Sequence, residues 1–305
     1  MKILVLGRKG QLGRCLNDQL EKTDHNVIYT SRDQLDIKDF DVTKNQIEHI
    51  SPNIIINATA YTAVDKAEQD HHNADLINHL AVANIAHICS QLGCWLVHVS
   101  TDYVFDGATA VAYNEEDKAN PQSVYGDTKL KGEIAIQSSG CRHIIIRTAW
   151  VFSEYGNNFL KTILRLAEER SELRIVGDQI GCPTYAQDIA NTIIVILESL
   201  QSNEQNSGVY HFGGNVCCSW AEFAQTIFDE ALKLEVIGSK PYVVATTTKE
   251  FPTLAKRPAR SELNSHKIKS TFGINPSDIM FGIRSSLIAV KFSYRGQFGS
   301  ARLEK

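Results

Sequence analysis

Short apolar runs alternate with amphipathic stretches along the first two-thirds of the chain. The runs are three to five residues long, nearly continuous and rich in Val and Ile, as is typical of parallel strands buried on both faces. They lie at 3–6, 27–29, 54–56, 95–99 and 144–146, with helical patterns at 11–21, 43–49, 75–92 and 125–138 between them. This alternation predicts an α/β fold built on a doubly wound parallel sheet.

The last third of the chain is less regular. Helical patterns at 158–169 and 220–232 are separated by glycine-rich and polar segments, and most of the prolines lie beyond residue 240. We expect residues 1–150 to form the domain that contains the sheet, with segments near 185–212 returning to it. Residues 151–305 then form mainly a smaller, substrate-binding domain.

Charge and cysteine content exclude several classes of protein. The 305 residues carry 31 Lys and Arg against 35 Asp and Glu, which argues against nucleic acid or an anionic membrane as a partner. No apolar run approaches the roughly 18 residues that span a bilayer, and the first run is too short for a signal peptide, so we expect a cytoplasmic protein. The seven cysteines include no CxxC pair, which predicts reduced thiols rather than a disulfide framework or a zinc site.

Three glycines follow the first predicted strand, in the segment GRKGQLG that opens the first predicted helix. Gly7, Gly10 and Gly13 would permit a tight turn, a close approach of the backbone to a pyrophosphate, and close packing of helix on strand. The helix N-terminus would then face the phosphates. The pattern therefore predicts a dinucleotide-binding, Rossmann-type first domain.

The end of the second predicted strand bears on the choice of cofactor. Its last residues, YTSR, include no carboxylate of the kind that binds the ribose 2′-hydroxyl of NAD. Arg32, together with Arg8 or Lys9, is suited to a 2′-phosphate instead. This favours NADPH, with NADH as a possible alternative. Asp36 and Ile37 follow in a loop that would reach the adenine.

Candidate catalytic residues lie at the end of the fourth predicted strand and at the start of the helix that follows it. Thr101 ends the fourth strand, at the carboxyl edge of the sheet where such folds bind ligands. Tyr125 and Lys129 follow with the i, i+4 spacing that puts both on one helix face. We expect the ammonium to lower the phenol pKa toward the range of a general acid, with Tyr125 protonating a carbonyl oxygen that Thr101 also contacts.

Nine segments resemble the extended short-chain dehydrogenase/reductase family, and more narrowly its dTDP-4-dehydrorhamnose reductases. They are GRKGQLG at 7–13, QLDI at 34–37, NATAYTAVDKAE at 57–68, STDYVFDG at 100–107, VYGDTKLKGE at 124–133, RTAWVF at 147–152, GNNFLKTILRLA at 156–167, DQIGCPT at 178–184 and KRPARSEL at 256–263.

The resemblance assigns a role to each matched position. It implies Thr101, Tyr125 and Lys129 as the catalytic set, and Thr101, Asp102 and Trp150 as the residues that meet the nucleotide sugar. Around the cofactor it implies Gly10, Gln11, Leu12, Asp36, Ile37, Ala60, Tyr61, Thr62 and Tyr103, beside the glycines and Arg32 noted above.

The sequence departs from this resemblance in two places. Some members of the family carry glutamates for a magnesium-linked dimer, where this chain has Cys15 and Gln187. Neither residue suits a hard cation, so we expect no metal site, and a possible homodimer would rest on apolar packing. The tail at 293–305 matches no motif of the family.

The function that these features imply is NADPH-dependent reduction of the 4-keto group of dTDP-4-dehydro-L-rhamnose, for cell-surface polysaccharide of the O-antigen type. Three alternatives stay open at this point: a reductase of another nucleotide-linked 4-ketosugar, an epimerase that retains NAD, and a non-enzymatic NADP-binding regulatory subunit. The complete set of Thr101, Tyr125 and Lys129 argues against the last of these.

Overall fold

The expected parallel sheet forms the centre of the protein. The computed structural model describes residues 1–200 and 206–299, with side chains described up to residue 292 outside the gap. The sheet consists of β1 (Lys2–Leu6), β2 (Asn26–Thr30), β3 (Ile54–Asn57), β4 (Trp95–Thr101), β5 (His143–Thr148) and β10 (Gly208–His211). All of its pairings are parallel, and the strand order is β10–β5–β4–β3–β1–β2. The α/β prediction is therefore confirmed.

Helices cover both faces of this sheet, as the continuous apolar strands require. They are α1 (Gln11–Leu20), α2 (Phe40–Ile50), α3 (Val64–Ala67), α4 (His71–Asp75), α5 (Ala81–Leu92), α6 (Val124–Ser138), α8 (Ala186–Leu200) and α10 (His266–Phe272). One apolar layer joins the sheet to α1 and α8, and the other joins it to α2, α5 and α6. The late segment that contains α8 and β10 thus packs with the first half of the chain.

The helix expected over 75–92 is interrupted. A π turn at Leu76–Leu80 joins α4 to α5. Helix α6 packs directly on this turn, because a Cβ on Gly132 would lie 2.2 Å from the carbonyl oxygen of Asn78. Such turns reposition side chains and are frequent at functional sites. The apolar periodicity alone did not reveal the interruption.

The remaining segments build a smaller region with its own apolar core. Its elements are β6 (Val151–Phe152), α7 (Phe159–Glu169), β7 (Glu172–Val176), β8 (Ile180–Gly181), β9 (Thr184–Tyr185), β11 (Cys218–Ser219), α9 (Trp220–Lys233), β12 (Tyr242–Thr246) and α11 (Ile279–Gly299). The strands pair as β6 with β9, β7 with β12, and β8 with β11. Phe152, Phe223, Phe228, Ile283 and Leu287 form the centre of the core.

The prediction that all cysteines are reduced thiols is wrong for one pair. Cys182 and Cys217 form a disulfide. The antiparallel pairing of β8 with β11 places them side by side, although they are 35 residues apart in sequence. The other five cysteines are free, and four of these are buried. Pairing between distant strands cannot be deduced from cysteine spacing, which explains the error.

Two further sequence observations concern the whole chain. No helix among the described residues is long and apolar enough to cross a bilayer. The tail segment that matched no motif enters the end of α11, and its last six residues, 300–305, lie outside the described residues.

Candidate active site

The glycine turn lies against the ends of two strands. The backbone N–H groups of Gly7 and Arg8 both donate to the Thr30 carbonyl at 3.0 Å. Gly7 has φ +94°, and a Cβ there would lie 2.9 Å from the carbonyl oxygen of Ala58. A Cβ on Gly13 would lie 2.1 Å from the carbonyl oxygen of Gly7. Only glycine fits at either position, so the first helix begins immediately beside the strand ends.

Helix α1 has no side-chain cap at its start. Gly10 is its N-cap and supplies no side-chain hydrogen bond, so the first N–H groups of the helix have no capping side chain. Positive partial charge at this terminus suits a phosphate.

A cavity of about 270 Å³ adjoins the glycine turn on its β2 side. Lys9 and Arg32 line it, but each already faces a carboxylate: Lys9 pairs with Asp33, and Arg32 Nε lies 3.3 Å from Asp36 Oδ2. Arg8 does not line this cavity, since its guanidinium stacks on the Tyr29 ring. Its other lining residues are Leu6, Gly7, Gly10, Thr30, Ser31, Leu35, Asp36, Ile37, Ala58, Thr59, Ala60 and Ile77.

A second cavity, of about 600 Å³, brings most of the sequence-predicted residues together. Gly10, Gln11, Leu12, Ala60, Thr62, Thr101, Asp102, Tyr103, Tyr125, Lys129 and Trp150 all line it. Tyr61 lines neither cavity. Its backbone N–H donates to Asn78 Oδ1 at 2.8 Å and its hydroxyl donates to Asp70. Asn78 also donates to the hydroxyl of Thr128 on α6, so the π turn holds the Tyr61 segment against α6.

The hydroxyl and carboxyl groups at the end of β4 form a buried pair. Thr101 Oγ1 donates to Asp102 Oδ1 at 3.0 Å and accepts from the backbone N–H of Tyr103. Burial raises the pKa of Asp102 to about 6, although hydrogen bonds from Ser261 and Thr101 favour the carboxylate. Asp102 is therefore charged at neutral pH but close to its titration range.

The expected lowering of the Tyr125 pKa by Lys129 is wrong for the ligand-free protein. Burial raises the pKa of Tyr125 above its ordinary value, and the hydrogen bond with Thr101 offsets this only in part. Lys129 Nζ contacts His98 Nε2 at 3.0 Å and donates to the Val99 carbonyl at 2.7 Å. Burial lowers the pKa of Lys129 to about 8. Lys129 is almost completely buried, whereas Tyr125 is partly exposed at the cavity, and burial favours the neutral form of each.

Trp150 is held in an unusual conformation. Its φ is +49°, in the left-handed region that a bulky residue rarely adopts. Its indole stacks on that of Trp220, with ring centroids 3.4 Å apart and planes inclined by 5°. On its other side a Cβ on Gly181 would come within 2.4 Å of the indole. These contacts cover both faces of the Trp150 indole and fix the ring at the wall of the cavity, so that its edge is the part open to a ligand.

Arg257 joins the catalytic cavity to a third cleft, of about 850 Å³. Its guanidinium pairs with Asp65 on α3 at 2.7 Å and approaches the Tyr103 hydroxyl at 3.5 Å. Its Nε is buried and has no hydrogen-bond partner. Arg170 and Arg174 line the same cleft, together with Glu172 and Glu250, so its charged groups are of both signs.

The family model described as the RmlD substrate binding domain matches residues 1–291. The chain belongs to this family. A dTDP-4-dehydrorhamnose reductase of Aggregatibacter actinomycetemcomitans is 45% identical over 279 residues, which cover 91% of this chain and 95% of that protein.

Two solved structures extend the likeness to the fold. A crystal structure of a dTDP-4-dehydrorhamnose reductase from Clostridium acetobutylicum superposes with a TM-score of 0.89 at 36% identity, over 95% of this chain and all of that one. One from Bacillus anthracis, in complex with NADP, gives 0.84 at 32% identity, over 96% and 99% of the two chains.

The structure places several residues in or beside the site to which the sequence pattern and the family resemblance assigned no role. Arg257 lies in a quoted motif, KRPARSEL, but no charge or spacing argument singled it out. Trp220 begins a predicted helix, α9, to which the sequence assigned no functional residue. His98 and Asn78 lie in apolar segments, where a single polar residue is the one available signal.

The positions of the magnesium-linked dimer show no replacement ligand set. Cys15 is buried, and burial raises the pKa of its thiol, with Glu154, Asp18 and Asp188 nearby adding to the effect. Among the described residues no group of three or more His, Cys, Asp or Glu side chains could hold a metal ion.

Proposed function

We propose that this chain is an NADPH-dependent reductase that converts dTDP-4-dehydro-L-rhamnose to dTDP-L-rhamnose. The observation that carries the proposal is the single cavity that joins the uncapped start of α1 to Thr101, Tyr125 and Lys129 in a member of this family. The names of the relatives supply the substrate, and the NADP complex from Bacillus anthracis supports the cofactor.

The residues present fit the cofactor. Glycine at positions 7 and 13 keeps the turn free of side chains, because a Cβ there would collide with the backbone, and a pyrophosphate would lie against this turn. The first turn of α1 would hold the pyrophosphate, Lys9 and Arg32 the 2′-phosphate, and Lys129 the nicotinamide ribose. When bound, the cofactor supplies a hydride to the carbonyl carbon.

Tyr125 donates the proton in this mechanism. Because burial raises its pKa, the phenol is protonated throughout the physiological range and is ready to act as an acid. Thr101 would donate a second hydrogen bond to the carbonyl oxygen by turning its one hydroxyl proton from Asp102 to the substrate.

The nucleotide sugar would lie across two cavities. The sugar would meet the edge of the Trp150 indole beside Thr101 and Asp102, and the diphosphate would lie at Arg257, whose buried Nε lacks a partner. The third cleft, with Phe159 and Ile163 on its apolar wall, would then take the base.

The cellular setting follows from the same family. A spore coat polysaccharide biosynthesis protein of Bacillus subtilis is 37% identical over 275 residues, 90% of this chain and 93% of that one, which supports a place in surface polysaccharide synthesis. We propose a cytoplasmic enzyme that needs no magnesium, and in which any homodimer rests on apolar packing.

The deciding experiment offers dTDP-4-dehydro-L-rhamnose with NADPH and follows the absorbance of the reduced nicotinamide. Tyr125→Phe, which keeps the ring and removes the proton, should lower turnover by about 10²–10⁴ while NADPH binding changes little. If this variant keeps more than about a tenth of wild-type turnover, Tyr125 is not the principal proton donor. Purified protein that retains NAD and interconverts epimers without net reduction would instead indicate an epimerase.

A further inference from the structure

A buried hydrogen-bond chain runs from Lys129 through His98 to Asn57. Lys129 Nζ lies 3.0 Å from His98 Nε2, and the other ring nitrogen, Nδ1, lies 3.2 Å from Asn57 Nδ2. All three side chains are almost completely buried, on α6, β4 and β3. Polar atoms in such a place must find partners within the protein, so the donor and acceptor at each contact can be worked out.

Thr59 fixes the orientation of the Asn57 amide. Its backbone N–H lies 3.0 Å from Asn57 Oδ1, and its hydroxyl lies 2.5 Å from the same oxygen. A backbone N–H can only donate, so the atom facing it must be the amide oxygen. The amide NH₂ of Asn57 therefore faces His98 and donates to Nδ1.

The bond from Asn57 decides the tautomer of His98. Burial holds the pKa of His98 well below its usual range, so the ring is neutral and carries one proton. Because Nδ1 accepts from Asn57, that proton lies on Nε2. The Nε2–H group then points at Lys129 as a donor.

A donor at this position requires an acceptor on Lys129. An ammonium group has three donors and no lone pair, so it would face the His98 N–H with a second donor. A neutral amine accepts from His98 and still donates to the Val99 carbonyl, at 2.7 Å. The amine is thus the one form of Lys129 that satisfies the whole chain.

We propose that Asn57 and His98 are positioning residues that hold Lys129 as a neutral amine in the cofactor-free protein, and that Lys129 gains a proton only when one bond of this chain breaks. The catalytic meaning of this state rests on the function proposed above. An ammonium at Lys129 would stabilise the phenolate that Tyr125 becomes on giving up its proton, whereas an amine would not.

The other titratable groups near Lys129 do not reverse this preference. On its own helix, Glu133 favours the ammonium, but its carboxylate is paired at 2.7 Å with Arg147 on β5. Asp102, in the turn after β4, accepts a hydrogen bond from Thr101, and burial raises the pKa of its carboxyl group. Burial also raises the pKa of Tyr103 and of Tyr125, so both phenols are neutral. Burial acts in the same direction as the hydrogen-bond chain and lowers the pKa of Lys129.

The test is nitrogen NMR of the cofactor-free protein labelled at histidine and lysine, with His98→Gln and Lys129→Met used to assign the signals. We expect the Nε2–H tautomer at His98 and a neutral amine at Lys129 at pH 7, because the hydrogen bond from His98 adds to the burial that by itself lowers the Lys129 pKa to about 8. The Nδ1–H tautomer in the wild type, or an ammonium at Lys129 at pH 7, would overturn the proposal.

Asn57→Asp should exchange donor and acceptor in each hydrogen bond from position 57 through His98 to Lys129. A carboxylate can accept from both Thr59 N–H and His98 Nδ1–H, so the ring proton should move to Nδ1, and Nε2 should then accept from an ammonium. We expect the Lys129 pKa to rise by about one unit or more. Thr59→Val is the matched control, because it removes the hydroxyl but keeps the backbone N–H, and it should leave the tautomer unchanged. A folded Asn57→Asp protein with the wild-type tautomer would contradict the assignment.

A second readout separates positioning from a purely structural role. With Lys129 needed as the ammonium, kcat/KM should fall as the pH rises through the pKa of Lys129 in the wild type, and this limb should move to higher pH in Asn57→Asp. An unchanged limb in this variant would count against the positioning role. The NMR result does not depend on turnover: an inactive protein with the Nε2–H tautomer would refute the proposed function alone, and an active reductase with the Nδ1–H tautomer would refute this inference alone.

Discussion

The indole of Trp150 lies flat on the indole of Trp220, with their ring centroids 3.4 Å apart. Trp150 belongs to the segment after β5, and Trp220 begins α9, so the stack joins the sheet to the smaller region across the catalytic cavity. Its cost is the left-handed backbone of Trp150, on the order of 1–2 kcal/mol. A strained residue at a cavity wall indicates a ring whose position matters for a ligand.

Removing the stack should therefore weaken substrate binding and spare the cofactor. In Trp220→Leu we expect KM for the nucleotide sugar to rise about tenfold, since an aromatic pair contributes roughly 0.5–1.5 kcal/mol beyond its buried area. The dissociation constant for NADPH should change by less than about twofold. Trp95→Phe, at the far end of β4, is the control and should leave both constants unchanged. Equal losses for substrate and cofactor in Trp220→Leu would indicate general loosening of the fold.

Arg257 should contribute mainly to the binding of the nucleotide diphosphate. We expect Arg257→Met to raise KM for the nucleotide sugar about 10- to 100-fold, because a charge-assisted hydrogen bond contributes about 1.5–3 kcal/mol. Asp65→Asn, which frees the guanidinium from its partner at 2.7 Å, should give a smaller effect. Lys256→Met removes a neighbouring cation that is bonded to Gln122, and it should change little. Initial-rate kinetics at saturating NADPH would decide; an unchanged KM in Arg257→Met would place the diphosphate elsewhere.

Comparison of sequence and structure shows what each kind of signal can reveal. The strands were predictable because a strand buried on both faces must be continuously apolar, as Ile54–Asn57 is apart from its last residue. Tyr125 and Lys129 were found because helical spacing fixes their relative positions. The directions of their pKa shifts were not predictable, because these depend on burial and on the partners of Lys129, which lie on β4. The pairing of Arg257 with Asp65 joins positions 192 residues apart, so no local pattern could indicate it.

Cofactor preference should respond to the carboxylates that neutralise the two cations. Lys9 pairs with Asp33, and the hydrogen bond from Lys9 lowers the pKa of that exposed carboxyl group. Asp33→Asn frees the ammonium for a 2′-phosphate, so we expect the ratio of kcat/KM for NADPH over NADH to rise about three- to tenfold. Arg32→Ala should lower the same ratio. Asp41→Asn, an exposed change on α2, is the control. The gain in Asp33→Asn should shrink at high salt, and a ratio that stays constant would mean that Lys9 does not meet the cofactor.

The disulfide between Cys182 and Cys217 gives the last prediction. It closes a segment of 35 residues and holds β11, the strand that leads into Trp220, against β8. A crosslink over such a loop restricts the unfolded chain by roughly 3–4 kcal/mol in the entropic treatment. We therefore expect Cys217→Ser, or a reducing agent added to the wild type, to lower the melting temperature by several degrees. Cys218→Ser, its neighbour with a free thiol, should have much less effect.

Thiol titration of the denatured, unreduced protein should find five free thiols of the seven cysteines. Seven free thiols in protein purified without an oxidation step would mean that the pair is reduced, and reducing agent should then leave the melting temperature unchanged.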